Sequence, residues 1–580
     1  MSITRLKKLF FNIGLTPPTF ALLFCLVAPD TRANTIPSNT EALEAIAALI
    51  ASQQNPLLTN PDFSAQAEQL NKLYELNGKQ LLWLGKDRSL PRIENALTLL
   101  ANADLDALNP KDYDAETLKH NFQLALTISP NAVKELVKFD TALSISLLRF
   151  IDDLHNGKVK PKQFHYPEQF GNKQSLDPAS LLKQSTEQET LTQIPEIAAP
   201  QFEQYRKLKQ TLVKYRSAPK EPNFEPLVID KPLHLGDRHP QLSELHNRLI
   251  ALGILSTEES ATDPLAEKIY SKSLVGAVKE FQRINGLEAD GIIGSKTAAM
   301  LNQSLDQKIR QIELAMERLR WLPKDLNGPL IIVNIPAYQL WAFNSLDDPE
   351  ALNMKVIVGK AMKNQTPVLF EEMKYLEFMP YWNIPRTIMN KEILPKLYND
   401  WGYLESQDIE LVKLYEGSSS SWDSVFDDIR SGRVRARQRP GNKNPLGKVK
   451  FIFPNKADVY LHDTSTPRLF SRSRRDLSHG CVRVEQAEKL AEFVLTNQPN
   501  SQWDLEKIRE AMEGPKTRRV TLKKAIPVLF VYTTTFIDQE NRVHFYLDIY
   551  NQDAALEKAL GKVPALGNSS LLTSRPSTSS

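Results

Sequence analysis

Near residue 329 the apolar pattern of this chain changes period, and that change divides what the chain can fold into. Before it, apolar residues recur at three-to-four spacing, as over 43–50 and from Val133 through Leu154. After it come β-branched runs bounded by turn residues, at 330–336 and 354–359, continued at 375–379, 449–453 and 458–461. The pattern predicts an α+β multidomain protein, with a mostly helical part over 40–215 and a strand-rich part over 329–500. Its 580 residues suit roughly three or four domains. Ser38 with Glu41 three residues later reads as a capping box opening the first helix.

Residues 217–232, rich in proline and polar groups, read as a linker, and a compact unit follows over 234–303. The strand series is broken over 386–447 by helix-like and loop segments, including the tract Gly417-Ser418-Ser419-Ser420-Ser421. A long insertion of this kind beside a site is a candidate lid. Trp382, Trp401, Tyr403 and Trp422 flank it or lie in it, and would either form its own small core or line a groove. Arg433, Arg435, Arg437 and Arg439 alternate, so a strand puts all four on one face: a carboxylate-binding surface or a solvated charged one. A helix is expected over 485–495. Two C-terminal strands are expected within 515–552, and a disordered tail over 567–580.

Arg5, Lys7 and Lys8 followed by an apolar run over 9–27 and by small Thr31 and Ala33 read as a secretory signal over 1–33. Pro17 and Pro18 interrupt that run and argue against a permanent anchor, so contact with a membrane is expected only through an uncleaved leader. The formal charge of the chain is +3, and the leader carries four basic residues against Asp30. The remainder is near neutral, so no nucleic-acid partner is implied. The chain has two cysteines, and Cys25 lies in the leader. Cys481 would be the lone thiol of an exported protein, in a compartment where cysteines are normally paired or absent. A chemical role is the economical explanation.

Cys481 stands in the run Ser478-His479-Gly480-Cys481-Val482-Arg483, and His462 in Tyr460-Leu461-His462-Asp463-Thr464 at what reads as the preceding strand end. A free thiol is only about 3% ionised at pH 7, so a nucleophile needs help. Here the help comes from a following helix start, from Arg468, Arg472, Arg474, Arg475 and Arg483, and from two histidines. His462 is the expected base, since its ring can approach the sulfur across the sheet. His479, two residues from Cys481, would shape the pocket or donate a hydrogen bond. The two segments together suit thiol-based acyl transfer, which calls for neither cofactor nor metal.

These residues match the L,D-transpeptidase signature, a histidine followed some fifteen residues later by Ser/Thr-His-Gly-Cys. The segments Ile335-Pro336-Ala337-Tyr338-Gln339-Leu340, Val356-Ile357-Val358-Gly359-Lys360, Gln365-Thr366-Pro367, Trp382-Asn383-Ile384-Pro385 and Asn444-Pro445-Leu446-Gly447 also resemble that family. So does the stretch from Phe139-Asp140-Thr141-Ala142-Leu143-Ser144 to Gly157 in the helical part. Over 234–303, the pattern Ala277-Val278-x-x-Phe281-Gln282, Asn285-Gly286-Leu287 and Asp290-Gly291-x-x-Gly294-x-x-Thr297 resembles the small three-helix peptidoglycan-binding module. The order of leader, helical scaffold, binding module and interrupted catalytic domain is similar to the large periplasmic members of Gram-negative bacteria.

The resemblance implies a β-rich YkuD-type catalytic domain with an inserted lid. It implies a Cys481 thioester formed on a tetrapeptide stem, loss of D-Ala, and resolution by a meso-diaminopimelate amine to give a 3→3 crosslink. Relatives are acylated by carbapenems, and cell-wall synthesis proteins are implied partners. Tyr460 and the backbone amides of Gly480 and Cys481 are the candidate oxyanion donors. Arg483, Ser478, Trp382 and Arg437 are candidate substrate contacts. Family triads often orient the base with a backbone carbonyl, which leaves the Asp463 side chain as an alternative third member. Three rivals stand beside this reading. They are an L,D-carboxypeptidase that uses water as acceptor, a zinc site made by His462, Asp463, His479 and Cys481, and a non-catalytic wall-binding adaptor.

Overall fold

The computed structural model describes residues 39–84, 90–127, 132–171, 176–218, 225–256, 268–323, 326, 328–345, 351–413 and 422–561. The expected leader, the tail from 567 and the tract 417–421 lie outside the described residues.

The described residues up to 218 form helices packed on one long central helix, Val133–Asn156, most of whose side chains are buried. In its middle the Asp140 carboxylate accepts the amides of Leu82 (2.9 Å), Trp83 (2.8 Å) and Leu84 (2.8 Å) and the Tyr74 hydroxyl (2.6 Å). A buried carboxylate is tolerated only with such a set of donors, so the Phe139–Ser144 stretch is architecture and not chemistry. The next unit has three helices, Leu242–Ala251, Lys272–Ile284 and Ser295–Leu301. Buried Gln282 ties its turns together, donating to Asp290 Oδ1 and the Ile292 carbonyl (2.9 Å each) and accepting from the Gly291 amide (2.8 Å).

The helix Leu305–Arg320 joins these units to the strands. Its Glu317 is 2% exposed and accepts from the Val159 amide (3.0 Å), the Trp321 indole (3.2 Å) and Arg320 (3.0 Å). Arg320 in turn reaches the Tyr205 hydroxyl (2.9 Å) and the Asp106 carbonyl. One buried, paired carboxylate thus gathers the end of the central helix and the start of the strand-rich part.

That part is a nine-stranded sheet built from β1 (Leu330–Asn334), β2 (Gln339–Phe343), β3 (Leu352–Gly359) and β4 (Leu369–Phe378), and then from β8 (Val449–Ile452), β9 (Leu461–His462), β10 (Asp476–Ser478), β11 (Val482–Val484) and β12 (Arg518–Val531). The order is β10-β3-β11-β9-β8-β4-β12-β1-β2, and a further β2–β3 pairing closes it on itself. Closure leaves only the short β10, paired with β3 alone, as an edge. Residues 518–531, read from sequence as part of a separate C-terminal segment, lie inside this sheet, antiparallel to β4 and parallel to β1. The basic, solvent-facing residues Arg518, Arg519, Lys523 and Lys524 give its first half the pattern of an outer strand.

The insertion leaves at the end of β4 and returns at β8, whose ends pair directly (Phe378 with Val449). It has its own three-stranded sheet in the order β5 (Trp382–Asn383), β7 (Val434–Gln438), β6 (Ile409–Lys413), so its sheet starts at Trp382, ahead of the expected 386. Ile388, Met389, Ile393, Leu394, Leu397, Ile429, Val434 and Ala436 form a separate core, against which Trp382, Tyr403 and Phe426 pack. Arg433, Arg435, Arg437 and Arg439 do share the outer face of β7.

Gly157 ends the central helix at φ +82°, and a Cβ there would lie 2.6 Å from the Trp321 indole nitrogen and 2.8 Å from Glu317 Oε1. Left-handed backbone and overpacking each cost about 1–3 kcal/mol. We therefore expect Gly157→Ala to destabilise the protein by roughly 2–4 kcal/mol in urea denaturation, and an unchanged midpoint would refute this account of the junction.

Candidate active site

Cys481 sits on a turn between β10 and β11, and the turn is braced from within and from below. Ser478 Oγ donates to the Cys481 carbonyl (2.5 Å) and accepts from the Gly480 amide (3.1 Å). Gly480 takes φ +120°, which an L side chain rarely adopts. Its carbonyl accepts from Thr366 Oγ1 (2.7 Å), which also accepts from the Gly359 amide (2.8 Å). A Cβ on Gly359 would lie 1.9 Å from the Asn364 carbonyl, so only glycine fits. The segments around Gly359 and Thr366 are therefore the bed of the cysteine turn.

Register decides which side chains meet. Val482 pairs with Leu461 and Arg483 with His462 on parallel β11 and β9, while Lys450 faces His462 across antiparallel β8 and β9. Leu461, Val482 and Phe451 are fully buried in the core. Side chains alternate along strands, so Tyr460, His462, Cys481, Arg483 and Lys450 share the opposite face.

His462 is 4% exposed, and its Nδ1 lies 2.6 Å from the Asp463 carbonyl. A carbonyl can only accept, so the neutral ring carries its proton on Nδ1 and leaves Nε2 as the basic atom. Burial pushes the imidazole down to about 3, and the cations of Arg483 and Lys450 add to this. The carbonyls of Asp463 and Pro445 oppose the shift. At neutral pH the ring is neutral. Burial also pushes the Cys481 thiol up, against the pull of the Tyr460 amide and hydroxyl and then of Lys450, with Asp458 adding to the rise. The sulfur donates to the Asp458 carbonyl at 3.7 Å, and among the described residues it makes no hydrogen bond to His462. The two groups are diagonal neighbours on one face, both uncharged.

The other expected residues divide. The Tyr460 hydroxyl is at the sulfur, with its ring 5.7 Å from that of His462. Arg483 is beside His462, with Nε buried and without a hydrogen-bond partner among the described residues. The Gly480 amide points to Ser478 inside the turn, so of the two expected oxyanion amides only that of Cys481 is left. Ser478, 3% exposed, braces the turn through its hydrogen bonds to Gly480 and Cys481. Trp382 packs on the core of the insertion, and Arg437 pairs with Glu410 while its guanidinium lies 4.3 Å above the Tyr381 ring. Both belong to the insertion's own structure. His479 turns outward and pairs with Glu392 of the insertion at 2.9 Å, the two side chains 41% and 53% exposed. The Asp463 carboxylate accepts the Lys448 amide (2.8 Å) and fills the space over Gly447, so the carbonyl and not the side chain orients His462. His462, Asp463, His479 and Cys481 do not converge as ligands would.

Sequence reasoning passed over Lys450, Asp458, Thr366 and Glu392. Lys450 left a trace: it is the one charged residue between Val449 and Phe453, at the parity of the site face.

Comparison with known proteins gives three family matches. Residues 328–509 match the YkuD L,D-transpeptidase catalytic domain, residues 238–301 a "Putative peptidoglycan binding domain" and residues 68–212 a scaffold domain. A curated protein of Haemophilus influenzae, "Putative L,D-transpeptidase", is 31% identical over 254 residues, which are 43% of this chain and 49% of that one. The chain thus spans about half the length of that relative. A solved L,D-transpeptidase (residues 123–326) of Xylanimonas cellulosilytica covers 53% of this chain and 100% of its own, at 14% identity. Its TM-score is 0.16, too low to relate the two folds.

The state of His462 sets a pH dependence. In the unfolded chain imidazole titrates near 6.5, and in the folded one at about 3, so the unfolded state takes the proton first. The stability from burying neutral His462 is whole above about pH 6.5 and is lost as the pH falls toward 3. Between about pH 7 and 4.5 the loss is roughly 2–3 kcal/mol. The fall in urea midpoint over that range should be smaller for His462→Gln than for wild type, and equal falls would contradict a neutral buried ring.

Proposed function

We propose that this chain, which carries an L,D-transpeptidase catalytic domain beside a peptidoglycan-binding domain, joins peptidoglycan stem peptides through a Cys481 thioester. The observation that carries the reading is the shared face of Cys481 and His462, with the imidazole neutral and its Nδ1 fixed on a carbonyl. As the sulfur attacks the carbonyl of the third residue of a tetrapeptide stem, His462 Nε2 takes the thiol proton. The oxyanion is received by the Tyr460 hydroxyl and the Cys481 amide. His462 returns the proton to the departing D-Ala amine, leaving an acyl thioester. The side-chain amine of meso-diaminopimelate on a second stem then attacks, its proton passes to His462, and the thiol is restored with a 3→3 crosslink formed. Arg483, desolvated and unpaired among the described residues beside this path, suits a stem carboxylate.

The same acyl-enzyme gives an L,D-carboxypeptidase if water resolves it. The insertion favours transfer, because it reaches the cysteine turn through Glu392 and His479 and can shield the thioester. The leader of the sequence supports a periplasmic location, free or held by an uncleaved anchor, with cell-wall synthesis proteins as neighbours.

Incubation of the purified chain with disaccharide tetrapeptides, followed by mass spectrometry of the muropeptides, tests this. Crosslinked 3→3 dimers with released D-Ala are expected, and neither should form with Cys481→Ala. Tripeptides alone would mean a carboxypeptidase, and no turnover with a thiol that a carbapenem leaves unmodified would mean a non-catalytic adaptor.

A further inference from the structure

Both members of the sulfur–imidazole pair are uncharged, so His462 does not supply the positive field that a thiolate needs. The charged and titratable groups facing the sulfur are few. His462 comes from β9, Tyr460 and Asp458 from the segment just before it, Arg483 from β11 and Lys450 from β8.

Of the cations, Arg483 is in register with His462, and its effect there is to keep the ring neutral. Lys450 is placed differently. Its Nζ lies 3.9 Å from the centre of the Tyr460 ring, and the hydroxyl of that ring is at the sulfur. No carboxylate of the described residues lies within ion-pair distance of it. Glu377, directly across on β4, is held by Arg519 at 2.7 Å.

We propose that Lys450 is the counter-cation of the Cys481 thiolate, a positioning residue that acts through the face of Tyr460 and sets how readily the sulfur ionises. Ammonium above the ring and sulfur at its hydroxyl form a stack in which the tyrosine is polarised from both sides. The arrangement is well placed for the moment the thiol proton moves to His462 Nε2: the negative charge then appears where a desolvated cation, in no ion pair among the described residues, is waiting. Burial lowers the affinity of Lys450 for its proton, and Glu377, Cys481 and Asp458 oppose this. Cys481 and Lys450 each favour the charged form of the other.

This inference rests on Cys481 being the nucleophile, but its test needs no substrate. The rate of Cys481 alkylation by iodoacetamide, in which the thiolate displaces iodide, is followed from about pH 6 to 10 on the full chain. In Lys450→Met the midpoint should rise by about one pH unit, a roughly tenfold slower reaction near neutral pH. Lys450→Arg should restore the wild-type profile, which a merely structural role would not require. Lys450→Gln serves if the methionine variant does not fold. A folded Lys450→Met or Lys450→Gln protein with an unshifted midpoint overturns the proposal. A wild-type thiol that resists iodoacetamide throughout the range would instead count against Cys481 as the nucleophile.

Discussion

The pairing of β9 with β11 is the constraint on which the site depends. Val482 lies against Leu461, and both are fully buried. A slip of β11 by one residue would turn Val482 to the site face and drive Cys481 and Arg483 into the core. The loss of that buried aliphatic side chain, about 1.5–3 kcal/mol, would add to the cost of burying a guanidinium without partners. The hydrophobic core therefore fixes the geometry of the site face. Backbone bonds from Asp463 to the Val449 carbonyl (3.0 Å) and from Glu485 to the Lys355 carbonyl (3.1 Å) hold the two ends of the register.

Burial has a second consequence. A desolvated thiol is harder to ionise, and a desolvated imidazole is harder to protonate. Together they make a neutral pair that does not charge itself at rest, unlike a thiolate–imidazolium pair. The charge state of the pair then depends on the fields that its neighbours supply. The three cradle residues Gly359, Thr366 and Gly480 matter in the same way, since the cysteine turn keeps its strained shape only because those hydrogen bonds and that close packing hold it.

Much of this was legible in the sequence, and the exceptions have physical causes. The signature around Cys481 and His462 is local, and a strand period of two was enough to place His462 on the adjacent strand. The arginines of β7 were placed on one face by the same alternation, but their partners were not, because Glu410 and Asp428 come from other elements. Ser478 and Trp382 were candidate substrate contacts in the sequence, and only the fold shows that the first braces its own turn and the second packs on the core of the insertion. Of the strand at 518–531, the basic first half was hidden by its solvent-facing lysines and arginines, while the apolar second half was read as a strand. Lys450 was missed because a lysine in a short strand usually marks a solvated face, and the neighbours that desolvate it are distant in sequence.

The insertion illustrates how magnitudes assign roles. At its neck the chain is tied into the sheet: the Met379 amide donates to the Lys448 carbonyl (2.8 Å), and Asn444, fully buried, donates to the Pro380 carbonyl (3.0 Å). Buried backbone and amide bonds of this kind cost about 1–3 kcal/mol each to leave unmade. At the far side, Glu392 meets His479 between two well-exposed side chains, and exposed pairs of this sort contribute at most about 1 kcal/mol. The neck is therefore fixed, and the contact over the cysteine turn is weak. A body with its own core is thus anchored firmly at one end and lightly at the other, and its weakest tie is the Glu392–His479 contact over the cysteine turn.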